Sequence, residues 1–185
     1  MPEIDLSEFC DLPDTSQLDI VDGMMAEHQR IITEADDLER LCLALLDDKS
    51  SFKLDDYLYK VRFIRTYADA AHHRKEEDIL YAYLLENVGG PAESLVRHGM
   101  LVDHDRGRFC VRNMEQAALQ LDKSGDDSDR LELIAWAMEY VHMIRAHVER
   151  EDKVVYPFAR RTVSADVMAR LTDEAHGYVA DPSSR

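Results

Sequence analysis

A chain of 185 residues, 45% of them hydrophobic, fits a single domain with a buried core. Its 7 glycines and 5 prolines are few, which favours long helices over many-stranded sheets. The formal net charge of −16 argues against nucleic acid or an anionic membrane surface as a partner, because both bind basic patches.

Polar breaks divide the sequence into four long helical segments and a short fifth one. The breaks are residues 47–51, the Gly89-Gly90-Pro91 turn, residues 123–128 and Pro157. The predicted helices run from a cap at Thr15 or Ser16 to about Leu46, from about Leu54 to Glu86, from Pro91 to about Leu121, from the third break to about Tyr156, and from a cap at Ser164 onward.

Long helices with short connections predict an all-α fold, an up-down antiparallel four-helix bundle with a short C-terminal helix. We expect an irregular N-terminal segment at 1–17, the bundle at 18–160, and the short C-terminal helix with a polar tail at 161–185. The core of such a bundle is a usual place for a metal site.

The cysteines and the chain start bear on location. Cys10, Cys42 and Cys110 stand far apart without a CxxC motif, which indicates reduced thiols. Residues 1–11 are acidic and lack the features of a signal peptide. No apolar run approaches the roughly 20 residues that span a bilayer. These features predict a cytoplasmic protein.

An internal duplication is the most informative feature of the sequence. Residues 71–81, AHHRKEEDILY, resemble residues 146–156, AHVEREDKVVY, and residues 24–30, MMAEHQR, resemble residues 100–106, MLVDHDR. The long motif recurs after 75 residues and the short one after 76. Two helical hairpins that each carry one His and one HxxxE would pack about an approximate twofold axis. Such a pair would form a symmetric two-metal site.

Helix geometry separates residues of the second helix that face the core from those that face water. At about 100° per residue, positions four apart share a face. His72 and Glu76 lie on a mostly apolar face, which points them toward the core. His73 and Glu77 share a face with Arg62, Thr66 and Asp69. We therefore expect His73 and Glu77 to face water.

The same test on the fourth helix places His147 and Glu151 on the apolar face. His142 and Asp152 fall about 140° away. His28 and His104 also lie among apolar neighbours on their helices. The predicted inward-facing set is therefore His28, His72, Glu76, His104, His147 and Glu151.

This set predicts a metal site rather than ordinary core packing. Burying two unpaired carboxylates beside imidazoles costs several kcal/mol or more, and metal cations remove that cost. Carboxylates can also bridge two metals while neutral imidazoles complete the coordination. The alternative is a buried network of His–Glu hydrogen bonds without metal.

The ligand series His28, His72-x-x-x-Glu76, His104 and His147-x-x-x-Glu151 resembles that of hemerythrin-like proteins, the HHE cation-binding domain family. The segments HHRKEEDILY, GGPAESLVRHGMLVDHDRGR and AHVEREDKVVYP extend the resemblance over roughly residues 20–160. It implies two non-haem iron ions joined by an oxo or hydroxo bridge. By this resemblance His28 and His72 bind one iron, His104 and His147 bind the other, and Glu76 and Glu151 bridge them.

Two departures separate this chain from the oxygen-carrying members of that family. Those carry HxxxH on the third helix, whereas the earlier position here is Met100, a poor ligand for iron. They also end in HxxxxD, a pattern that Asp152 satisfies here while helix geometry favours Glu151, so both residues stay open as the ligand. Losing one His leaves more open coordination positions and argues against reversible oxygen carriage.

The resemblance implies a protein that reacts with small molecules, and no protein partner is predicted. We expect redox chemistry on dioxygen, peroxide or nitric oxide, as in a peroxidase-like, catalase-like or nitric oxide-reactive enzyme. The alternatives are a sensor of iron, oxygen or redox state, and a carrier or store of oxygen or iron. Asp69 is a candidate to orient a ligand imidazole or to form a surface ion pair. Core packing or contact with a bound oxygen ligand is expected for Tyr67, Tyr83 and Tyr140.

Overall fold

Helices account for all the long regular elements of residues 5–179, the part of the chain that the computed structural model describes. The five helical stretches are α1 (Ile20–Asp47), α2 (54–87), α3 (90–124), α4 (127–162) and α5 (Ala165–His176). A short 3-10 turn, Lys49–Ser51, lies between α1 and α2. The predicted all-helical class is confirmed. The predicted polar end at 181–184 lies outside the described residues, as do residues 1–4.

Local chemistry defines where the helices begin and end. The side chain of Asp19 accepts hydrogen bonds from the backbone N–H groups of Val21 and Asp22, at 3.0 and 2.9 Å, and so caps α1. The predicted caps Thr15 and Ser16 are therefore wrong. They belong to a turn ahead of the helix, in which the backbone carbonyl of Thr15 accepts from the backbone N–H of Leu18. The α3 helix ends at Gly125, whose φ of 67° is accessible to glycine at little cost.

Wider π-helical turns interrupt three of the long helices. These turns are Ile64–His73 and Glu76–Tyr81 in α2, Glu93–Met100 in α3, and Glu151–Val155 in α4. A π turn closes i→i+5 hydrogen bonds, so it shifts which side chains share a face of the helix. Such turns are frequent at functional sites. Here they lie in or beside the segments that carry the duplicated motif.

The four long helices enclose a polar layer between two apolar clusters. Helix α1 packs against α2 and α4, α3 also packs against α2 and α4, and α5 lies against α1 and the second π turn of α2. One cluster includes Ile31 and Val111, and the other includes Met24 and Met100. His28 and His104 lie between these pairs along α1 and α3. The packing therefore holds the candidate ligands in the buried interior of the bundle.

No helix in the described part of the chain combines the length and the apolar character needed to cross a membrane.

Candidate metal centre

The polar layer contains two groups of side chains that could each hold a metal ion. Within each group one ligand atom per residue lies within 4.8 Å of the others, and every member is buried. The first group is His28, His72, Glu76 and Glu151, and the second group is His73, Glu76, His104 and His147. All six predicted residues lie in these two groups, and His73 is an additional member.

The two glutamates lie between the groups. Glu76 Oε2 is 3.7 Å from His72 Nε2 in the first group and 3.5 Å from His104 Nε2 in the second. Donor atoms bound about 2.1 Å from one ion at right angles lie about 3 Å apart. These spacings therefore suit donors that share a metal ion.

Glu151 repeats this arrangement on the opposite side. Its Oε2 is 3.2 Å from His28 Nε2 and 3.1 Å from His147 Nε2. Each carboxylate thus faces one histidine of each group, which is the position of a bridging ligand.

Besides His147 Nδ1, six metal-donor atoms in this layer have no hydrogen-bond partner among residues 5–179. They are Nε2 of His72, His73, His104 and His147, and Oε2 of Glu76 and Glu151. Leaving a buried polar atom unpaired costs about 1–3 kcal/mol, and more if the group is charged. Because all six atoms belong to the two groups, the residues present fit a pair of metal cations.

A second set of carboxylates holds the histidines from behind. His28 Nδ1–H donates to Asp152 at 2.8 Å, and His104 Nδ1–H donates to Glu77 at 2.8 Å. Such a bond selects the ring tautomer whose Nε2 lone pair is free to bind a metal, and it raises the basicity of the ligand.

The other three histidines also face carboxylates through Nδ1. His72 Nδ1–H donates to Glu27 at 2.7 Å. The Nδ1 atom of His147 lies 3.5 Å from Asp103, and that of His73 lies 3.8 Å from Asp69. All five imidazoles are therefore oriented with Nε2 toward the centre.

Hydrogen bonds from the ligand histidines and neighbouring cations keep Glu27 and Glu77 ionised. Burial acts to raise the pKa of Glu27, but His72 and Lys75 lower it to about 2. Burial also acts to raise the pKa of Glu77, but His104 and Arg108 lower it to about 2. Glu27 and Glu77 are therefore charged acceptors at neutral pH.

Burial and neighbouring charges also shift the pKa values of the side chains in the two ligand groups. Burial lowers the pKa of His72 and of His104 to about 3, so both rings are neutral, as metal ligation requires. Burial and the neighbouring Glu151 raise the pKa of Glu76. Despite burial, the hydrogen bond to Asp152 and the neighbouring Glu151 carboxylate raise the pKa of His28 to about 9. Without a cation this layer retains protons that a bound metal would displace.

Two tyrosines complete the centre. Tyr156 Oη–H donates to Glu76 Oε1 at 2.5 Å, and Tyr81 Oη–H donates to Glu151 Oε1. Each tyrosine thus binds the glutamate of the other copy of the motif. Both tyrosines are buried, and each lies five residues after the glutamate of its own copy. The repeated pattern ends in these two residues, so the sequence did contain a signal for them.

The expectation that His73 and Glu77 face water is wrong. His73 is 4% exposed and belongs to the second group, and the Glu77 side chain is 7% exposed. The polar face of α2 meets α3 instead of water, because Arg108 pairs with Asp69 and Glu77 there. The π turn Ile64–His73 also invalidates a wheel drawn at 100° per residue.

The structure also places the residues whose roles stayed open. Glu151 contributes an oxygen to the first group, whereas Asp152 lies behind His28, to which it is hydrogen-bonded. Met100 is fully buried in the second apolar cluster. Asp69 pairs with Arg108 and lies near His73.

The three tyrosines singled out from the sequence differ in position from Tyr81 and Tyr156. Tyr67 and Tyr140 are buried, and Tyr83 is half-buried beneath the Arg170 guanidinium. None of these three tyrosines forms a hydrogen bond or a ring contact with the two ligand groups within residues 5–179.

Fold and site together define a helical-bundle protein with a buried histidine–carboxylate centre suited to metal cations. A family model described as the Hemerythrin HHE cation binding domain matches residues 19–159. Because this match covers most of the chain, the protein belongs to the hemerythrin HHE cation-binding family, and the resemblance stated from the sequence is confirmed. Comparisons with curated proteins and with solved structures found no match.

Proposed function

We propose that this protein binds two iron ions. His28 and His72 would hold one ion, His73, His104 and His147 the other, with Glu76 and Glu151 between them. The six unpaired donor atoms that converge in the core carry this proposal. Bound iron would supply one-electron redox chemistry and Lewis acidity toward small molecules.

The scaffold we propose is the up-down antiparallel four-helix bundle. The short connections at 48–53, 88–89 and 125–126 support it, because a short link between long helices favours antiparallel neighbours. We also propose a cytoplasmic location, which the three free cysteines support.

The function we propose is redox chemistry on dioxygen, peroxide or nitric oxide. A cavity of about 560 Å³ is lined by the exposed Arg65 and Arg112 and by the buried His73 and His104. It leads from the surface to the second ligand group and admits water and protons. Reduction of dioxygen or peroxide consumes protons, whereas a carrier must exclude such side reactions.

Reversible oxygen carriage is the second candidate function, and His73 is the observation that favours it. The absence of a histidine at position 100, where this chain has Met100, weighs against oxygen carriage. His73 supplies a fifth histidine to the centre from α2 instead of α3.

One experiment tests both functions. Anaerobically purified protein is analysed for iron and then reduced, exposed to oxygen and returned to vacuum while its visible absorption is followed. We expect about two iron ions per chain and an oxidised centre that vacuum does not reverse. Full recovery of the reduced spectrum over repeated cycles would establish the carrier, and one iron or none would refute the two-iron centre.

A further inference from the structure

The cavity beside the second ligand group is bordered by positions whose residues differ between the two copies of the motif. It lies between α2 and α3 and reaches Tyr140 of α4. Four of its lining residues are Asp69, His73, Gly107 and Arg108. Their counterparts, 75 or 76 residues away in the other copy, are Ile144, Val148, Ile31 and Ile32.

These counterparts close the flank of the first group. Ile31, Ile144 and Val148 are buried in the apolar core, and Ile32 packs against the same cluster. At the second group the corresponding positions carry polar side chains or, at Gly107, no side chain. The two copies thus share six ligand positions but differ at His73 and in the space beside it.

Of the four arginines that line the cavity, Arg65 pairs with Glu115 and Arg108 pairs with Asp69. Arg112 is exposed and forms no ion pair among the described residues. Its positive charge is therefore available to an anion in the cavity.

The cavity also offers an apolar wall and an unpaired polar group. Ile64 and Val111 line it, and the Tyr140 ring forms part of the same wall. The Tyr140 hydroxyl is buried without a hydrogen-bond partner among the described residues. At about 560 Å³ the space far exceeds the ~30 Å³ that one water molecule takes up, so it exceeds the need of a diatomic gas. Its volume is typical of sites for organic molecules.

We propose that this cavity binds a small organic anion, a carboxylate with an aromatic or aliphatic body, beside His73 and His104. The carboxylate would face Arg112 and the body would lie on Ile64, Val111 and Tyr140. That the anion is a substrate or reductant rests on the proposed redox function, whereas its binding does not.

The test is calorimetric titration of the full chain with benzoate, with neutral benzamide of the same shape, and with nitrate. The iron content of each sample is measured separately, so loss of the iron centre and loss of anion binding are distinguishable. We expect saturable benzoate binding with a Kd of about 1 mM. Benzamide and nitrate should bind about tenfold more weakly, because each lacks the charge or the apolar body.

Two variants and a matched control locate the site. Ala70 lines the cavity, so Ala70→Leu should abolish benzoate binding by filling it. Arg112→Gln should weaken binding about threefold to fivefold, the effect of one partly exposed charge. Arg106→Gln is the control, since Arg106 is exposed and pairs with Glu139 instead of lining the cavity.

Three results would overturn the proposal. They are the absence of saturable benzoate binding, equal binding of benzamide or nitrate, and binding that neither cavity variant changes. Circular dichroism and thermal melting confirm that each variant is folded. If Ala70→Leu fails to fold, Arg112→Gln and the comparison with benzamide still test whether the cavity binds an anion.

Discussion

In the first ligand group the positions equivalent to part of the cavity lining carry buried aliphatic side chains, whereas beside His73 and His104 of the second group they border an open cavity. The ligand residues that both copies share repeat after 75 or 76 residues. Duplication therefore accounts for a pair of similar donor sets, and substitution of their neighbours accounts for the difference in access. The two halves can be changed separately, which makes their asymmetry open to experiment.

The outer carboxylates of the two groups also have a shared arrangement that differs in detail. Glu27 and Asp103 are counterparts, yet His72 lies 2.7 Å from Glu27 and His147 lies 3.5 Å from Asp103. Lys75 pairs with Glu27, and Arg150 pairs with Asp103. In both groups an outer carboxylate faces a ligand histidine and pairs with a cation. The carboxylate and the histidine are closer together in the first group.

The largest effect is expected at Glu76, which both groups share. Glu76→Gln keeps the shape but removes the charge that offsets two cations, so the affinity for both iron ions should fall by about 100-fold or more. Iron analysis after anaerobic reconstitution measures this loss. Glu149→Gln is the control, because Glu149 is exposed and pairs only with Lys153 among the described contacts. Two iron ions retained in Glu76→Gln would show that Glu76 is not a ligand.

A smaller effect is expected when the first copy is made to match the second. His73→Val introduces the residue found at the equivalent Val148 and removes a donor from the second group alone. Iron content should fall from about two per chain toward one, since the first group keeps all four donors. The matched variant His98→Val changes an exposed histidine. Unchanged iron in His73→Val would exclude His73 from the centre.

The outer carboxylates should have graded effects on iron affinity. Glu27→Gln replaces the acceptor at 2.7 Å from His72 and should weaken iron binding about 10–100-fold. Asp103→Asn acts on the longer contact to His147 and should have a smaller effect. Competition with a chelator measures both affinities. Equal losses would mean that the difference in distance has no energetic consequence.

The smallest effects on the free energy of unfolding are expected at the starts of α1 and α3, the first helix of each hairpin. Asp19 caps α1, so Asp19→Ala should lower the free energy of unfolding by about 1 kcal/mol at pH 7. Helix α3 begins at Gly90-Pro91 without a side-chain cap, so Glu93→Ala should change it by less than about 0.5 kcal/mol. Urea denaturation measures both.

The effect of Asp19→Ala should depend on pH. Burial acts to raise the pKa of Asp19, but Arg160 and the backbone N–H groups at the cap lower it below its usual 3.8. A carboxylate with a lowered pKa stabilises the fold above its unfolded-state pKa, and this contribution disappears as pH falls through the folded-state value. The difference between wild type and variant should therefore shrink below about pH 4. A difference that grows in acid would contradict the assignment of the cap.

The amino-acid sequence by itself determined the all-helical class and the six inward ligand candidates. Hydrophobic periodicity and polar breaks depend on residues close in the chain, and the 75-residue repeat identifies paired functional residues without coordinates. The repeat also ends in Tyr81 and Tyr156. The sequence pattern therefore already contained the two tyrosines that donate hydrogen bonds to Glu151 and Glu76.

Only the tertiary structure decided the positions of His73, Glu77 and Asp152. A wheel drawn at 100° per residue assumes an uninterrupted α-helix, and the π turns of α2 and α4 break that assumption. A polar face can also be buried against another helix, as Arg108 buries Asp69 and Glu77. The cavity beside His73 joins residues of three helices, and their proximity arises from packing between segments far apart in the chain.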